Sequence, residues 1–182
     1  MQRVRNGNKG YAKKMDNSFA LPPAKRGYGK SRRDGLSFAI VPKMDLTKPA
    51  RTVFYCDDDD EDLFLFTEVV NEINPQYNCI TCPDSEGALT MLSTGDLKPD
   101  IIFLDINMPR MSGIELLAWL RRQHGYENVP IIMYSTAIND REVNYCKELG
   151  AVRVLPKLYN PKDSVAQIRE TINEYLPRPI IS

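Results

Sequence analysis

The sequence feature that most constrains the fold is an apolar run that ends in a carboxylate, IIFLD at residues 101–105. Four consecutive apolar residues indicate a strand buried on both faces, as in a parallel sheet covered by helices. Pro109 and Gly113 then turn the chain, and Ser112 with Glu115 forms a capping box at which a helix begins. We therefore expect Asp105 at the carboxyl edge of the sheet, where open α/β sheets bind ligands.

Apolar strands and amphipathic helices alternate along residues 51–178, five of each. Connections of this length give right-handed βαβ units with parallel strands. The third helix is expected to run from Ser112 to about His124, before Gly125. The predicted fold is a doubly wound α/β domain with a five-stranded parallel sheet.

The first helix follows the acidic run DDDDED at residues 57–62 and is expected to end near Asn74. Phe64 lies on its polar face, where an exposed aromatic beside an acidic cluster is a candidate partner contact. One broad face is apolar and is expected to be buried; it carries Leu63, Leu65, Phe66, Val69, Val70 and Ile73.

Residues 1–50 differ from the rest of the chain in charge. They carry 12 lysines and arginines against 3 acids, whereas residues 51–182 carry 12 against 21. They also lack usable periodicity, so we predict a disordered basic extension. A solvated tail is the simplest interpretation; a nucleic-acid arm and a cleaved transit peptide are alternatives.

The cysteines and the hydropathy pattern favour an intracellular, reducing location, the cytoplasm. Four scattered cysteines do not form a disulfide framework in a chain of this length. Cys79 and Cys82 have CxxC spacing, but a zinc site would need two further ligands, and His124 is a poor candidate. No apolar run approaches the ~20 residues of a membrane span, and no secretory signal core follows the first residue.

Polar side chains follow four of the predicted strands, and parallel strands would bring them to one edge of the sheet. Clustered carboxylates need a counter-charge, which Mg²⁺ can supply while it binds one or two carboxylates and a phosphate oxygen. A carboxylate in such a site can attack a phosphoryl group, while an amine and a hydroxyl stabilise the phosphoryl oxygens. The residues of this predicted pocket are Asp57, Asp58, Asp105, Ser135 and Lys157.

On these residues the chain resembles the receiver domain of two-component response regulators, over residues 51–178. The resemblance rests on the acidic pair after the first strand, on Ser135, and on three short motifs: LDINMP at 104–109, MSG at 111–113, and GA at 150–151 followed by LPK at 155–157. It implies a flavodoxin-like sheet with strand order 2-1-3-4-5.

The resemblance also implies a role for each site residue. Asp105 would accept a phosphoryl group from a histidine kinase or a histidine phosphotransfer protein. Ser135 and Lys157 would contact that phosphoryl group. Mg²⁺ would be held by Asp57, Asp58, Asp105 and the backbone carbonyl of Asn107, although four successive aspartates leave the register of the acidic pair open by one residue.

The function implied is that of a stand-alone response regulator, which signals by conformational change to a downstream protein and is not an enzyme beyond self-phosphorylation and slow autodephosphorylation. Two positions depart from the family pattern. Leu158 follows the lysine where proline is usual, and Val154 stands where an aromatic residue usually changes rotamer on phosphorylation. Tyr134 cannot be assumed to replace that aromatic residue.

Two other functions fit parts of the sequence. A phosphatase of the haloacid dehalogenase type also uses an aspartate after a strand, but it needs a second acid where this chain has Asn107. A binding module that is never phosphorylated could use residues 1–50 on nucleic acid, and its retention would depend on salt.

Overall fold

The computed structural model describes residues 51–176, which form five strands and five helices in strict alternation. The predicted extension at residues 1–50 lies outside the described residues, as do the last residues of the predicted domain. The elements are β1 (Thr52–Cys56), α1 (Asp60–Ile73), β2 (Asn78–Cys82), α2 (Ser85–Ser93), β3 (Ile101–Leu104), α3 (Gly113–Leu120), β4 (Ile131–Ser135), α4 (Asp140–Glu148), β5 (Arg153–Pro156) and α5 (Pro161–Tyr175).

The five strands form one sheet in the order β2-β1-β3-β4-β5, and every neighbouring pair is parallel. This confirms the predicted flavodoxin-like topology. β1 and β3 lie side by side at the middle, with Cys56 opposite Leu104. The residues that follow these two positions, Asp57 and Asp105, therefore leave the sheet next to each other.

Each face of the sheet buries its own apolar cluster. On one face, Tyr55, Phe103 and Tyr134 pack beneath α1 and α5. On the other face, Leu104 and Met133 pack beneath α2, α3 and α4. Burial on both sides explains why the central strands are continuous apolar runs rather than alternating ones.

Side chains cap the starts of four helices, and the cap predicted at Ser112 is confirmed. Asp84 caps α2, and Ser112 with Glu115 and Asn139 with Glu142 form capping boxes at α3 and α4. Asn160 caps α5, where proline occupies the first turn. Because these side chains satisfy the free N–H groups of the first turn, they fix where each helix begins.

Two details of the helices differ from the prediction. Leu65 is 55% exposed, not buried: it lies at the margin of the apolar face of α1, next to Phe64, which is exposed as predicted. Helix α3 ends at Leu120, not near His124, because the following N–H groups bond three residues back instead of four, Arg122 to Trp119 and Gln123 to Leu120. No helix within residues 51–176 combines the length and hydropathy of a membrane span.

Candidate functional site

An acidic pocket of about 390 Å³ opens at the carboxyl edge of the sheet. The residues that line it come from the ends of β1, β3, β4 and β5 and from the start of α1. They are Asp57, Asp58, Asp59, Asp60, Asp62, Asp105, Asn107, Thr136 and Lys157. The structure therefore brings together the predicted residues of the acidic pair, the candidate phosphoryl acceptor and the lysine.

Backbone hydrogen bonds beyond the strand ends hold these residues in place. The N–H of Asp57 donates to the carbonyl of Cys82 on β2, and the N–H of Asp105 donates to the carbonyl of Cys56 on β1. On the other side, the N–H of Lys157 donates to the carbonyl of Ser135 at 2.9 Å. The site residues are thus positioned by the sheet ladder itself and not by free loops.

Lys157 is the cation at the centre of the pocket, and its side chain is only 10% exposed. Its ammonium Nζ lies 2.5 Å from Oδ2 of Asp57, 2.7 Å from Oδ2 of Asp62 and 3.3 Å from Oδ1 of Asp105. Burial alone would lower the pKa of the lysine, but the hydrogen bonds that it donates to Asp57 and Asp62 raise that pKa above its ordinary value. Lys157 is therefore charged at neutral pH.

Asp57 is almost completely buried, with 1% of its surface exposed. Its Oδ2 accepts hydrogen bonds from the hydroxyl of Tyr55 and from Lys157, and its Oδ1 accepts the N–H of Asp59 at 3.1 Å. Burial raises the pKa of this carboxyl, and the hydrogen bonds from Lys157 and Tyr55 oppose that rise only in part. Three donors to one carboxylate leave it a single orientation.

The acidic run at residues 57–62 contributes side chains both to the pocket and to the start of α1. The side chain of Asp59 caps α1 by accepting the N–H groups of Glu61 and Asp62. Asp57 and Asp58 precede this cap, the first buried and the second exposed at the pocket. The side chain of Asp59 is thus bonded to the start of α1, whereas Asp57 and Asp58 stand before the cap at the pocket.

Asp105 is also buried, with 4% of its surface exposed. Its Oδ2 accepts the backbone N–H of Asn107, and its Oδ1 faces Lys157. The amide Nδ2 of Asn107 donates to Oγ of Ser135 at 3.1 Å and to the carbonyl of Ala137 at 3.4 Å. Asn107 thus links the third and fourth strand ends, so that the buried Ser135 hydroxyl and Asp105 belong to one hydrogen-bonded group.

The turn after Asp105 depends on a glycine. A Cβ at Gly113 would lie 1.8 Å from the backbone oxygen of Asp105, so only a residue without a side chain fits. The N–H of Gly113 donates to the carbonyl of Ile106, and Arg110 takes a positive φ of 67° to let the chain return. This close approach fixes the backbone on which Asp105 is carried.

The acidic side chains at the pocket form a set of oxygen donors. Within residues 51–176, no three acidic, histidine or cysteine side chains converge tightly enough to hold a metal by themselves. Mg²⁺ does not require three, because it usually keeps several water molecules and takes one or two carboxylates. The oxygen donors of Asp57, Asp58 and Asp105 around an open polar cavity fit such an ion.

The two departures from the family pattern are visible in the structure. Val154 is half-buried and lies opposite Met133, on the sheet face that α2, α3 and α4 cover. Tyr134 packs on the other face, where its ring centroid is 6.1 Å from that of Tyr55 and 6.4 Å from that of Phe103. Tyr134 therefore does not occupy the place of the missing aromatic residue. Leu158 is 39% exposed.

Sequence reasoning missed three residues of the site. Tyr55 precedes Asp57 by two positions, so the two side chains project to the same face of the strand. Asp62 lies in the first turn of α1, and nothing in the acidic run distinguishes it from its neighbours. Only the signal for Tyr55 was present in the sequence. Thr136, which lines the pocket after Ser135, carries no comparable signal.

A sheet of this topology, with a buried aspartate, an acidic pair and a lysine at its carboxyl edge, defines a receiver-type signalling domain. The family model of the response regulator receiver domain matches residues 53–169. The chain therefore belongs to the response regulator receiver family of two-component signalling systems.

Comparison with known proteins agrees with this assignment. The chain is 35% identical over 112 residues to the transcriptional regulatory protein CpxR of Escherichia coli, a match that covers 62% of this chain and 45% of CpxR. It spans less than half the length of that relative.

Two solved structures share the fold. The phosphorylated cyanobacterial phytochrome response regulator RcpA superimposes with a TM-score of 0.67 at 22% identity, covering 73% of this chain and 99% of RcpA. The Mn²⁺-bound form of response regulator Rcp1 gives a TM-score of 0.65 at 23% identity, covering 72% of this chain and 99% of Rcp1.

Proposed function

We propose that this protein is a phosphorelay component that accepts a phosphoryl group on Asp105 in a Mg²⁺-dependent reaction. The observation that carries the proposal is the position of the Lys157 ammonium, 3.3 Å from Oδ1 of a buried Asp105 and 2.5 Å from Asp57. A buried cation beside a buried carboxylate stabilises the negative charge that a phosphoryl group would add.

The reaction proceeds by attack of an oxygen of Asp105 on phosphorus. The bond between phosphorus and the imidazole nitrogen of the donor histidine breaks, and that nitrogen leaves with the electron pair and takes a proton. Mg²⁺, held by Asp57, Asp58 and Asp105 with a carbonyl from Asn107, would neutralise phosphoryl oxygens. Lys157 pairs with a second oxygen, and Ser135 donates its hydroxyl to a third.

The phosphoryl group would change the contacts of Ser135. In the structure its Oγ accepts a hydrogen bond from Asn107. A Ser135 that turns to the phosphoryl group draws the end of β4 towards Asp105, which shifts the population of the loops that precede α4. Because Val154 replaces the usual aromatic residue, the shift is expected to reach α4 through this loop and not through a rotamer change on β5.

The partners proposed are a sensor histidine kinase or a histidine phosphotransfer protein as donor and a downstream protein as target. Phe64 and Leu65 are 64% and 55% exposed and lie on α1 beside Asp60 and Glu61, next to the pocket. An apolar pair rimmed by acids at this place suits contact with a donor protein whose surface is apolar and basic. A cytoplasmic location stays a prediction.

The experiment is intact-mass measurement after treatment with acetyl phosphate, with and without Mg²⁺. We expect the wild-type protein to gain one phosphoryl group only with Mg²⁺, and the Asp105→Asn variant to gain none. Asp100→Asn is the matched control, because Asp100 stands at the opposite end of β3 and bonds Arg51 and Thr52. Equal labelling of Asp105→Asn and the wild type would reject the assignment.

A further inference from the structure

Asp62 contacts the pocket lysine although it belongs to neither the acidic pair nor the phosphoryl acceptor. It lies in the first turn of α1, and its Oδ2 accepts a hydrogen bond from Nζ of Lys157 at 2.7 Å. This contact is shorter than the 3.3 Å between Lys157 and Asp105. In the resting protein, the lysine is therefore closer to Asp62 than to the residue whose phosphoryl group it is proposed to bind.

We propose that Asp62 is a positioning residue that holds Lys157 in the resting state and competes with the phosphoryl group for its ammonium. This inference rests on the proposed function of Asp105. It assigns Asp62 a role in the rate of phosphorylation and none in metal binding or in the chemical step.

The ammonium group has three N–H donors. Two are bonded, to Asp57 and to Asp62, while Asp105 is close enough for an ion pair only. A phosphoryl group on Asp105 needs a strong hydrogen bond from the same ammonium. That bond can use the third N–H or one that is already bonded. In either case, a hydrogen bond of normal length requires the ammonium to move towards Asp105.

The partner that yields is Asp62 and not Asp57. The side chain of Asp57 is 1% exposed, so loss of its bond to Lys157 leaves a buried carboxylate with neutral donors only and no counter-charge. The side chain of Asp62 is 34% exposed, so water can replace the lysine at low cost. Asp57 therefore keeps its bond to Lys157, whereas Asp62 is the partner from which the lysine can dissociate.

A positioning role of Asp62 predicts a change in the rate of phosphorylation that a purely structural role would not produce. In the labelling step with acetyl phosphate, an oxygen of Asp105 attacks phosphorus, the bond from phosphorus to the acetyl oxygen breaks, and acetate leaves. The bond between Asp62 and Lys157 stabilises only the state before this step. Its removal should therefore speed phosphorylation and leave hydrolysis of the acyl phosphate unchanged, because Lys157 already contacts the phosphoryl group at the start of hydrolysis.

The test compares Asp62→Asn with Glu61→Gln, which removes the same charge from the same turn at an exposed position. Asp62→Ala is a second variant that leaves no amide to bond the lysine. Phosphorylation by acetyl phosphate and the decay after its removal are followed by intact mass, with Mg²⁺ throughout. Thermal unfolding of each variant verifies that it is folded.

We expect both Asp62 variants to be phosphorylated about two- to fivefold faster than the wild type, the size of effect for a partly exposed ion pair. Their decay rates and both rates of Glu61→Gln should match the wild type. Wild-type labelling with no acceleration in the Asp62 variants, or with equal acceleration in Glu61→Gln, overturns this inference alone. A wild type that takes up no phosphoryl group rejects the proposed function and this inference together.

Discussion

The hydroxyl of Tyr55 donates a hydrogen bond to Oδ2 of Asp57 from the face of the sheet that α1 and α5 cover. The ring of Tyr55 is fixed in turn, with its centroid 4.3 Å from that of Phe66 on α1. A buried aromatic cluster therefore supports the carboxylate that is proposed to bind the metal. Groups that orient a metal ligand in this way contribute to affinity without touching the metal.

Removal of this hydroxyl should weaken metal binding. The Tyr55→Phe variant keeps the ring and loses only the hydrogen bond, so we expect its dissociation constant for Mg²⁺ to rise by about tenfold. Calorimetric titration measures the change. Tyr126→Phe is the control, because it removes a buried hydroxyl that donates to the carbonyl of Leu92 at 2.8 Å, away from the pocket. Equal affinities of Tyr55→Phe and the wild type would contradict the prediction.

Asp57 should reduce the stability of the protein when Mg²⁺ is absent. Burial raises the pKa of its carboxyl in the folded state, so stability falls as the pH rises from the ordinary carboxyl range through that raised pKa and stays lower at neutral pH. We expect Asp57→Asn to be more stable than the wild type by about 1 kcal/mol at pH 7. The gain should shrink at acid pH, where Asp57 of the wild type becomes protonated.

Urea unfolding at two pH values, each with and without Mg²⁺, measures these effects. Mg²⁺ should raise the unfolding midpoint of the wild type and of the control Asp100→Asn but not that of Asp57→Asn. A variant that is less stable at pH 7 than the wild type, or that is stabilised by Mg²⁺ to the same extent, would disagree with this account.

The hydroxyl of Ser135 should matter for phosphorylation and little for folding. Its Oγ is buried, and we expect Ser135→Ala to be phosphorylated by acetyl phosphate about tenfold more slowly, since a hydrogen bond to a charged group is lost. Ser85→Ala removes another buried hydroxyl, near Sδ of Met108, and should leave the rate unchanged. Similar rates for the two variants would argue against a role for Ser135.

The backbone around Asp105 should not tolerate a side chain at Gly113. In Gly113→Ala the new methyl group would meet the backbone oxygen of Asp105, so we expect a loss of about 3 kcal/mol in the free energy of unfolding. Gly125→Ala is the comparison: nothing lies within 4 Å of its Cβ, and its φ of 96° should cost only about 1 kcal/mol. Urea denaturation that ranks Gly125→Ala as the more damaging substitution would overturn this reading of the turn.

The alternation of strands and helices predicted a parallel sheet and the gathering of the pocket, because both follow from strand direction. The strand order was implied by the family resemblance. Apolar runs such as residues 101–104 mark the strands, and parallel strands bring Asp57 and Lys157 to one edge whatever lies between them. The capping boxes at Ser112 and Asn139 can also be predicted from short sequence patterns, since capping is a local interaction. These features need no knowledge of how the layers pack.

The details that were missed depend on packing. Periodicity placed Leu65 on the apolar face of α1, but the packing of the helix against the rest of the domain decides whether a residue near the edge of that face is covered. The hydrogen bond from Lys157 to Asp62 depends on the reach of a flexible side chain from β5 to α1. Neither distance is encoded in the spacing of residues along the chain.

Because β5 is an edge strand, local opening of the sheet can disrupt the pocket before the whole domain unfolds. β5 pairs with β4 alone and Lys157 directly follows it, whereas Asp57 and Asp105 follow β1 and β3, which both have neighbours on two sides. Partial opening of β5 would withdraw the positive charge while both aspartates stay in place. Amide exchange at Lys157 should therefore be faster than at Asp57, and loss of signalling competence on warming should precede the main unfolding transition.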